Sequence, residues 1–285
     1  VKAHRGWDLP PVFSETLRLL PWTPEGSRMI LPWGLSKQVP PPPATVAPLW
    51  SLLDASGVST RVLGWPGSWG DDRSLIDLQD GEFGATLEPA MRVSLEAALQ
   101  ALPDNRSRIW AAILQDQSRV QAAVRFLDSD IANVWVHLEA LSLARRYHEP
   151  LRPGHTRRRL FLELMMELVD EQLGELLAAT DESTLIAVVS PFGLTPPGSF
   201  ERMKRTFGGG GDWHTSAESS PDGLFILLGH GVDPGQRVTA STPPDVAPTL
   251  CYLLGLPVAQ YMEGSVAVGA ISQSFLAEHP LRVVE

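Results

Sequence analysis

The chain has 285 residues, 44% hydrophobic and 20% charged, which suits a globular protein with a sizeable core. Its formal net charge of −10 argues against nucleic acid as a main partner, because phosphate backbones demand clustered Lys and Arg. No run of about 18 apolar residues is present, so no transmembrane segment is expected in this chain. No basic-then-apolar signal opens it either. It begins with valine, as a processed product, a cloned segment or an incomplete gene would.

Residues 1–48 are rich in proline and poor in periodic pattern, and "VPPPPATVAP" (Val39–Pro48) reads as an extended polyproline connector. From Leu49 the pattern changes, and 49–285 reads as one α/β domain. "LWSLLDASG" has helical spacing and stops at Gly57, and "STRVLGW" follows as a short β-rich run. Residues 88–128 read as mostly helical, with "AILQDQSRVQAAVRFL" the most regular part, and "IANVWVHL" (Ile131–Leu138) as a buried strand. Arg157, Arg158 and Arg159 mark a solvated helix face at the start of a long helix from about Arg158 to Ala179. Leu164, Met165, Leu168, Val169, Leu173 and Leu176 supply the apolar stripe of that helix.

"TLIAVVS" is a third strand and "GLFILLGHG" a fourth, separated by a Gly/Pro-rich excursion through "GGGGDWHTS". In "STPPDVAPTLCYLLGLP", Asp245 can cap a helix that carries Pro248 in its first turn and stops at Gly255. Cys251, the single cysteine, lies among apolar neighbours as a buried structural thiol. "LRVVE" offers a last short strand. Alternating elements with continuously apolar strands predict a mostly parallel central sheet with helices on both faces. Ligand sites in such sheets lie at the carboxyl ends of strands.

Those ends are poor in chemistry. Glu139 follows the second strand without a second carboxylate or a histidine four residues on. Pro191 and Phe192 follow the third, and neither can ligate a metal, donate a proton or attack an electrophile. Asp212 and His214 stand in the glycine-rich excursion, whose spacing does not match a Walker loop. No GxSxG, HExxH or paired CxxC occurs.

Several segments in order resemble the alkaline phosphatase superfamily, in its type I phosphodiesterase/nucleotide pyrophosphatase branch. "LVDEQLGELLAA", "TLIAVVSPFGL", "GGDWHTS" and "SPDGLFILLGHGVDPG" resemble the consecutive helix, metal-bearing strand, Gly-x-His element and following strand of that family. "DVAPTLCYLLGLPVAQYMEGSV" resembles its closing helix and is the most specific match. Upstream, "APLWSLLDASGVSTRVLGWPGSW" resembles its helix, strand and Trp-Pro turn, and "LLPWTPEGSRMILPWGLSKQVP" resembles an insert of bacterial members. The resemblance covers the chain from roughly residue 17 onward.

The resemblance implies an alkaline-phosphatase-like core and two divalent metals, usually zinc, which activate a Thr or Ser nucleophile and clamp a phosphoryl group. Such chemistry needs the metals ~4 Å apart, with oxygen and nitrogen ligands. Where the family has Asp-His after its strand, this chain has Pro191 and Phe192. Where it has Asp and His four residues apart, "HLEALSLARRY" presents Ala140 and Ala144. A shift of one residue offers Glu139 but puts Leu143 at the histidine position.

Only His214 matches a family metal ligand, and no N-terminal strand ending in Asp-Gly carries the nucleophile. The resemblance implies a pseudoenzyme with a binding or regulatory role and no expected cofactor, whose first strand is either missing from this chain or lost altogether, and for which a small phosphorylated molecule is one candidate ligand. The competing expectation is an active hydrolase with an atypical site around His214 and Asp212, lined by Glu139 and using zinc or another divalent metal.

Overall fold

The computed structural model describes residues 22–23, 28–30, 36–38, 48–65, 75–76, 86–100, 106–148, 156–191, 193, 222–238 and 241–284. Strands β1 (Trp22–Thr23), β2 (Arg28–Ile30) and β3 (Ser36–Gln38) form an antiparallel three-stranded sheet inside the proline-rich segment. Helix α1 (Leu49–Ala55) starts after Pro48, whose fixed φ suits a helix entry, and stops where Gly57 turns to φ 82°. Its Trp50 and Leu53, three residues apart, share the buried face.

Strand β4 (Thr60–Leu63) is the centre of a parallel sheet, with β5 (Leu75–Ile76) on one side and β6 (Asn133–Val136) on the other. Val62 pairs with both Leu75 and Trp135, and Val62 and Leu63 are fully buried, so β4 is apolar on both faces as a covered central strand must be. Leu63 packs on Ala122 and Ala123, with Val134 and Val136 beside it.

Helices α2 (Pro89–Gln100), α3 (Arg106–Leu127), α4 (Ala140–His148) and α5 (Thr156–Ala178) make the largest core. Pro89 opens α2, and the Glu88 carboxylate accepts the Met91 amide at 2.9 Å, satisfying one of the donors a helix start leaves open. Met91, Leu95 and Leu99 then recur every four residues and meet Ile109 and Ile113 of α3 and Phe161, Met165 and Leu168 of α5. Each such fully buried side chain contributes about 2 kcal/mol relative to exposure. The centre of the α5 stripe differs from expectation. Met165 and Leu168 are buried, but Phe161 and Gln172 join them, while Leu164, Val169, Leu173 and Leu176 are half-buried.

Strands β7 (Leu185–Ser190) and β8 (Leu224–Gly229) pair antiparallel, Leu185 opposite Gly229 and Ser190 opposite Leu224. The sequence reading puts both in a mostly parallel sheet. Continuous apolar runs speak for parallel strands, but here Leu185 and Leu227 alone reach a core, while Leu224, Ile226 and Leu228 are exposed on the opposite face. The described strands form separate small sheets, two of them parallel, and the fold is mixed helix and strand.

The C-terminal unit is helix α6 (Val246–Leu253), strand β9 (Val258–Ala259), helix α7 (Gln273–Glu278) and strand β10 (Val283–Val284). Strand β10, expected from "LRVVE", pairs parallel with β9. Cys251 is buried in this unit's core with Tyr252, Ile271 and Phe275, and burial pushes its thiol pKa up. Asp245 does not cap α6 with its side chain. Its carboxylate takes the Thr242 amide at 2.7 Å, the Thr242 hydroxyl at 2.8 Å and the Ser265 amide at 2.7 Å. Buried Thr249 donates to the Asp245 carbonyl at 2.6 Å and accepts the Ala267 amide at 3.0 Å. The segment most specific to the resemblance thus acts as a clamp that holds the 265–267 stretch against the start of α6. Among the described residues no helix is long and apolar enough to cross a membrane.

Candidate functional site

Strands β4 and β6 run parallel, so their carboxyl ends lie side by side, where an α/β sheet places its ligands. β4 leaves through Gly64, at φ 70°, and Trp65. β6 leaves through His137, Leu138 and Glu139 into α4, and the His137 amide extends the ladder to the Leu63 carbonyl at 2.9 Å.

The turn from β6 into α4 points its amides inward, onto Asp116 of α3. Asp116 is 1% exposed, and its Oδ2 accepts the amides of Glu139 at 2.8 Å and Ala140 at 2.7 Å. Its Oδ1 accepts Arg119 Nη1 at 2.9 Å, and the same Nη1 donates to the His137 carbonyl at 3.1 Å. Gly64 makes room for this guanidinium, since a Cβ there would lie 2.1 Å from Arg119 Nε. Burial pushes the Asp116 carboxyl up to about 6, against the opposing pull of the Ala140 and Glu139 amides and Arg119.

A strand-to-helix turn with free amides is a ready anion site. Here the anion is supplied by the chain itself. The turn is therefore closed: the Glu139 and Ala140 amides and the Arg119 guanidinium are engaged by an internal carboxylate.

Ala140 and Ala144, which the resemblance aligns with metal ligands, lie in the helical core. Ala140 is 2% exposed and Ala144 0%, both packed with Leu143, Phe161 and Met165. A methyl group has no donor atom, so these positions do not fit a zinc ion. Glu139 is half-buried at the mouth of the turn.

On the strand face opposite Val134 and Val136, residues alternate to Trp135 and His137. Trp135 forms an edge-to-face cluster with Trp50 of α1 at 5.8 Å and Trp65 at 6.3 Å, while Trp50 and Trp65 lie 4.9 Å apart. His137 meets Trp65 at 5.7 Å. Trp135 Nε1 and His137 Nδ1 are buried without a hydrogen-bond partner among the described residues. Burial, and then Arg119, lower the His137 pKa, so its imidazole is neutral at neutral pH.

The end of β7 is different. Pro191 is exposed, and Gly223, which precedes β8, lies against it so closely that a Cβ would sit 2.2 Å from the Ser190 carbonyl oxygen. Pro191 offers no ligating atom there. Phe192, Asp212 and His214 lie outside the described residues. Among the described residues no group of three or more His, Cys, Asp or Glu side chains could hold a metal ion.

Asp116 and Arg119 escape a reading by motif, since they sit within the most regular helical stretch. The available signal is placement: Asp116 and Gln117 interrupt the stripe of Ile109, Ile113 and Val120, where a core helix should be apolar. Comparisons of the chain with protein-family models, with curated proteins and with solved structures find no match.

Proposed function

We propose that the chain is a catalytically degenerate relative of the metal-dependent phosphodiesterases and nucleotide pyrophosphatases, with a binding or regulatory role in place of turnover. The reading rests on the ordered resemblance of its segments to that superfamily. One observation carries the degenerate part: the turn after β6 holds Ala140 and Ala144 in the helical core and has its amides satisfied by Asp116. A two-metal site requires carboxylate and imidazole ligands that also neutralise the ions. Methyl groups at these positions, and a proline at the end of β7, supply neither. A small phosphorylated molecule remains the ligand class that the resemblance suggests.

The test is elemental analysis of protein purified without chelators, together with hydrolysis of an aryl phosphodiester in the presence of zinc. Bound metal below ~0.1 equivalent and no zinc-stimulated turnover are expected. About two equivalents of zinc, with turnover abolished by His214→Ala, would overturn the proposal and establish a hydrolase centred on His214.

A further inference from the structure

The ribbon of β7 and β8 differs along its two sides. The His230 amide reaches the Thr184 carbonyl at 3.3 Å, and the register sets Leu185 opposite Gly229. Inward-facing residues alternate in an antiparallel pair, so Ile186 and Val188 bond to β8 while Leu185, Ala187 and Val189 turn their amides and carbonyls outward. None of these outward groups meets a hydrogen-bond partner among the described residues. Ala187 and Val189 are exposed, Val189 at 44%. Past β8, by contrast, the Ser272 amide bonds the Gly231 carbonyl at 2.9 Å and the Asp233 amide bonds the Ala270 carbonyl at 3.0 Å. The chain beyond β8 is thus tied to the C-terminal unit, and β7 presents the open edge.

An open strand edge is a template for another strand, and proteins that keep one open blunt it with Lys, Pro or a bulge. β7 has none of these. Its six residues hold no charge and no proline, and they pair with β8 one for one. We propose that the outer edge of β7 docks a second copy of this chain, β7 pairing antiparallel with β7 about a two-fold axis at Ala187. The strand fits itself under that symmetry. Ala187 meets its own equivalent and Leu185 meets Val189, so each outward residue exchanges both of its hydrogen bonds. Only apolar side chains face one another across the join. The acidic Asp181 and Glu182 fall beyond the paired stretch, and the two-fold sets those of the two copies at opposite ends.

Pairing joins two ribbons into one continuous sheet. A lone two-stranded ribbon is marginal, whereas more strands with an apolar face support one another. One face of this ribbon has support already, since Leu185 and Leu227 pack on the core of Cys251 and Phe275. On the other face, pairing sets Ile186 and Val188 beside their equivalents in the second copy. The contact uses the same edge of both copies, so it closes at two rather than growing into a fibre. Each copy carries a formal net charge of −10, which opposes the approach, and added salt strengthens the pairing by screening it. The inference does not rest on the degenerate-enzyme reading.

The experiment is sedimentation equilibrium from about 1 μM to about 300 μM in ~0.15 M salt, with hydrogen exchange of the β7 amides read by NMR across the same range. A monomer–dimer equilibrium is expected, in which the Leu185, Ala187 and Val189 amides exchange at least ~10-fold more slowly in the dimer. Val189→Lys, at an exposed position, should weaken dimerisation at least ~10-fold, and Ala187→Pro, which removes one outward donor, should abolish it. A monomer throughout the range overturns the proposal, whether its β7 amides exchange freely or are covered by the chain itself. So does a dimer that leaves these amides unprotected or tolerates Val189→Lys, and so does growth beyond two copies. The wild-type association and exchange data decide the matter even where Ala187→Pro does not fold.

Discussion

At the end of β6 the amides of Glu139 and Ala140 point into the protein and finish on a carboxylate, and the methyls of Ala140 and Ala144 are buried in the cluster of Leu143, Phe161 and Met165. At the end of β7 Pro191 is exposed, and the backbone of Gly223 lies against it. Ala140, Ala144 and Pro191 bring no ligand atom to either end, yet the polar groups of the first turn are tied into the fold through Asp116 while Pro191 stands exposed at the second. The two should therefore respond differently when polar groups are put back.

The sharpest contrast comes from restoring the ligand types that the resemblance places after β6. Ala140→Asp combined with Ala144→His inserts a carboxyl and an imidazole where there is no free volume, and should destabilise the protein by about 4 kcal/mol or more without creating a zinc site. Denaturant unfolding and elemental analysis of the double variant check both parts. A stable variant that takes up zinc would mean the turn can open, and the contrast would collapse. An intermediate effect is expected at the backbone contact of β7: Gly223→Ala forces a methyl onto the Ser190 carbonyl and should lower stability by about 1–3 kcal/mol, read from the shift in unfolding midpoint. The smallest effect is expected from Pro191→Asp. An exposed site accepts a carboxylate within about 0.5 kcal/mol, and a larger loss would show that the end of β7 is covered.

How much of this is visible in the sequence varies with the physics of each element. The helix expected from Arg158 to Ala179 is found at Thr156–Ala178, and the helical stretch 88–128 divides into α2 and α3, because apolar spacing over many turns fixes a helix. Gly57 and Gly255 mark helix stops by their left-handed φ of 82° and 73°. Helix α4 escapes the reading since "ALSLARRYH" is short and half polar, and it is held by Asp116 from a distant helix rather than by a local cap. Orientation of β7 against β8 is equally hidden: a run such as "LIAVVS" encodes burial but not the direction of its partner.

For the site, Glu139 is found at the mouth of a strand-end turn, and Ala140 and Ala144 behind it in the core. The pair that shapes this turn, Asp116 and Arg119, comes from the middle of a helix some twenty residues upstream, and nothing local announces such a long-range hydrogen bond. The same holds for Asp245. Its place before a helix suggests a cap, but its carboxylate is drawn to Ser265, twenty residues onward.

The tryptophan cluster gives α1 a property of its own. At seven residues this helix is too short to persist alone, and Trp50 ties it to Trp65 and Trp135 with ring centres 4.9 and 5.8 Å away. Indoles this close couple optically, so the docking of α1 against β4 and β6 carries a near-ultraviolet dichroism signature. The far-ultraviolet signal, by contrast, has its largest contributions among the described helices from the 22 and 23 residues of α3 and α5. Following the two wavelengths together during heating would show whether the chain lets go of its smallest helix before it melts its largest ones.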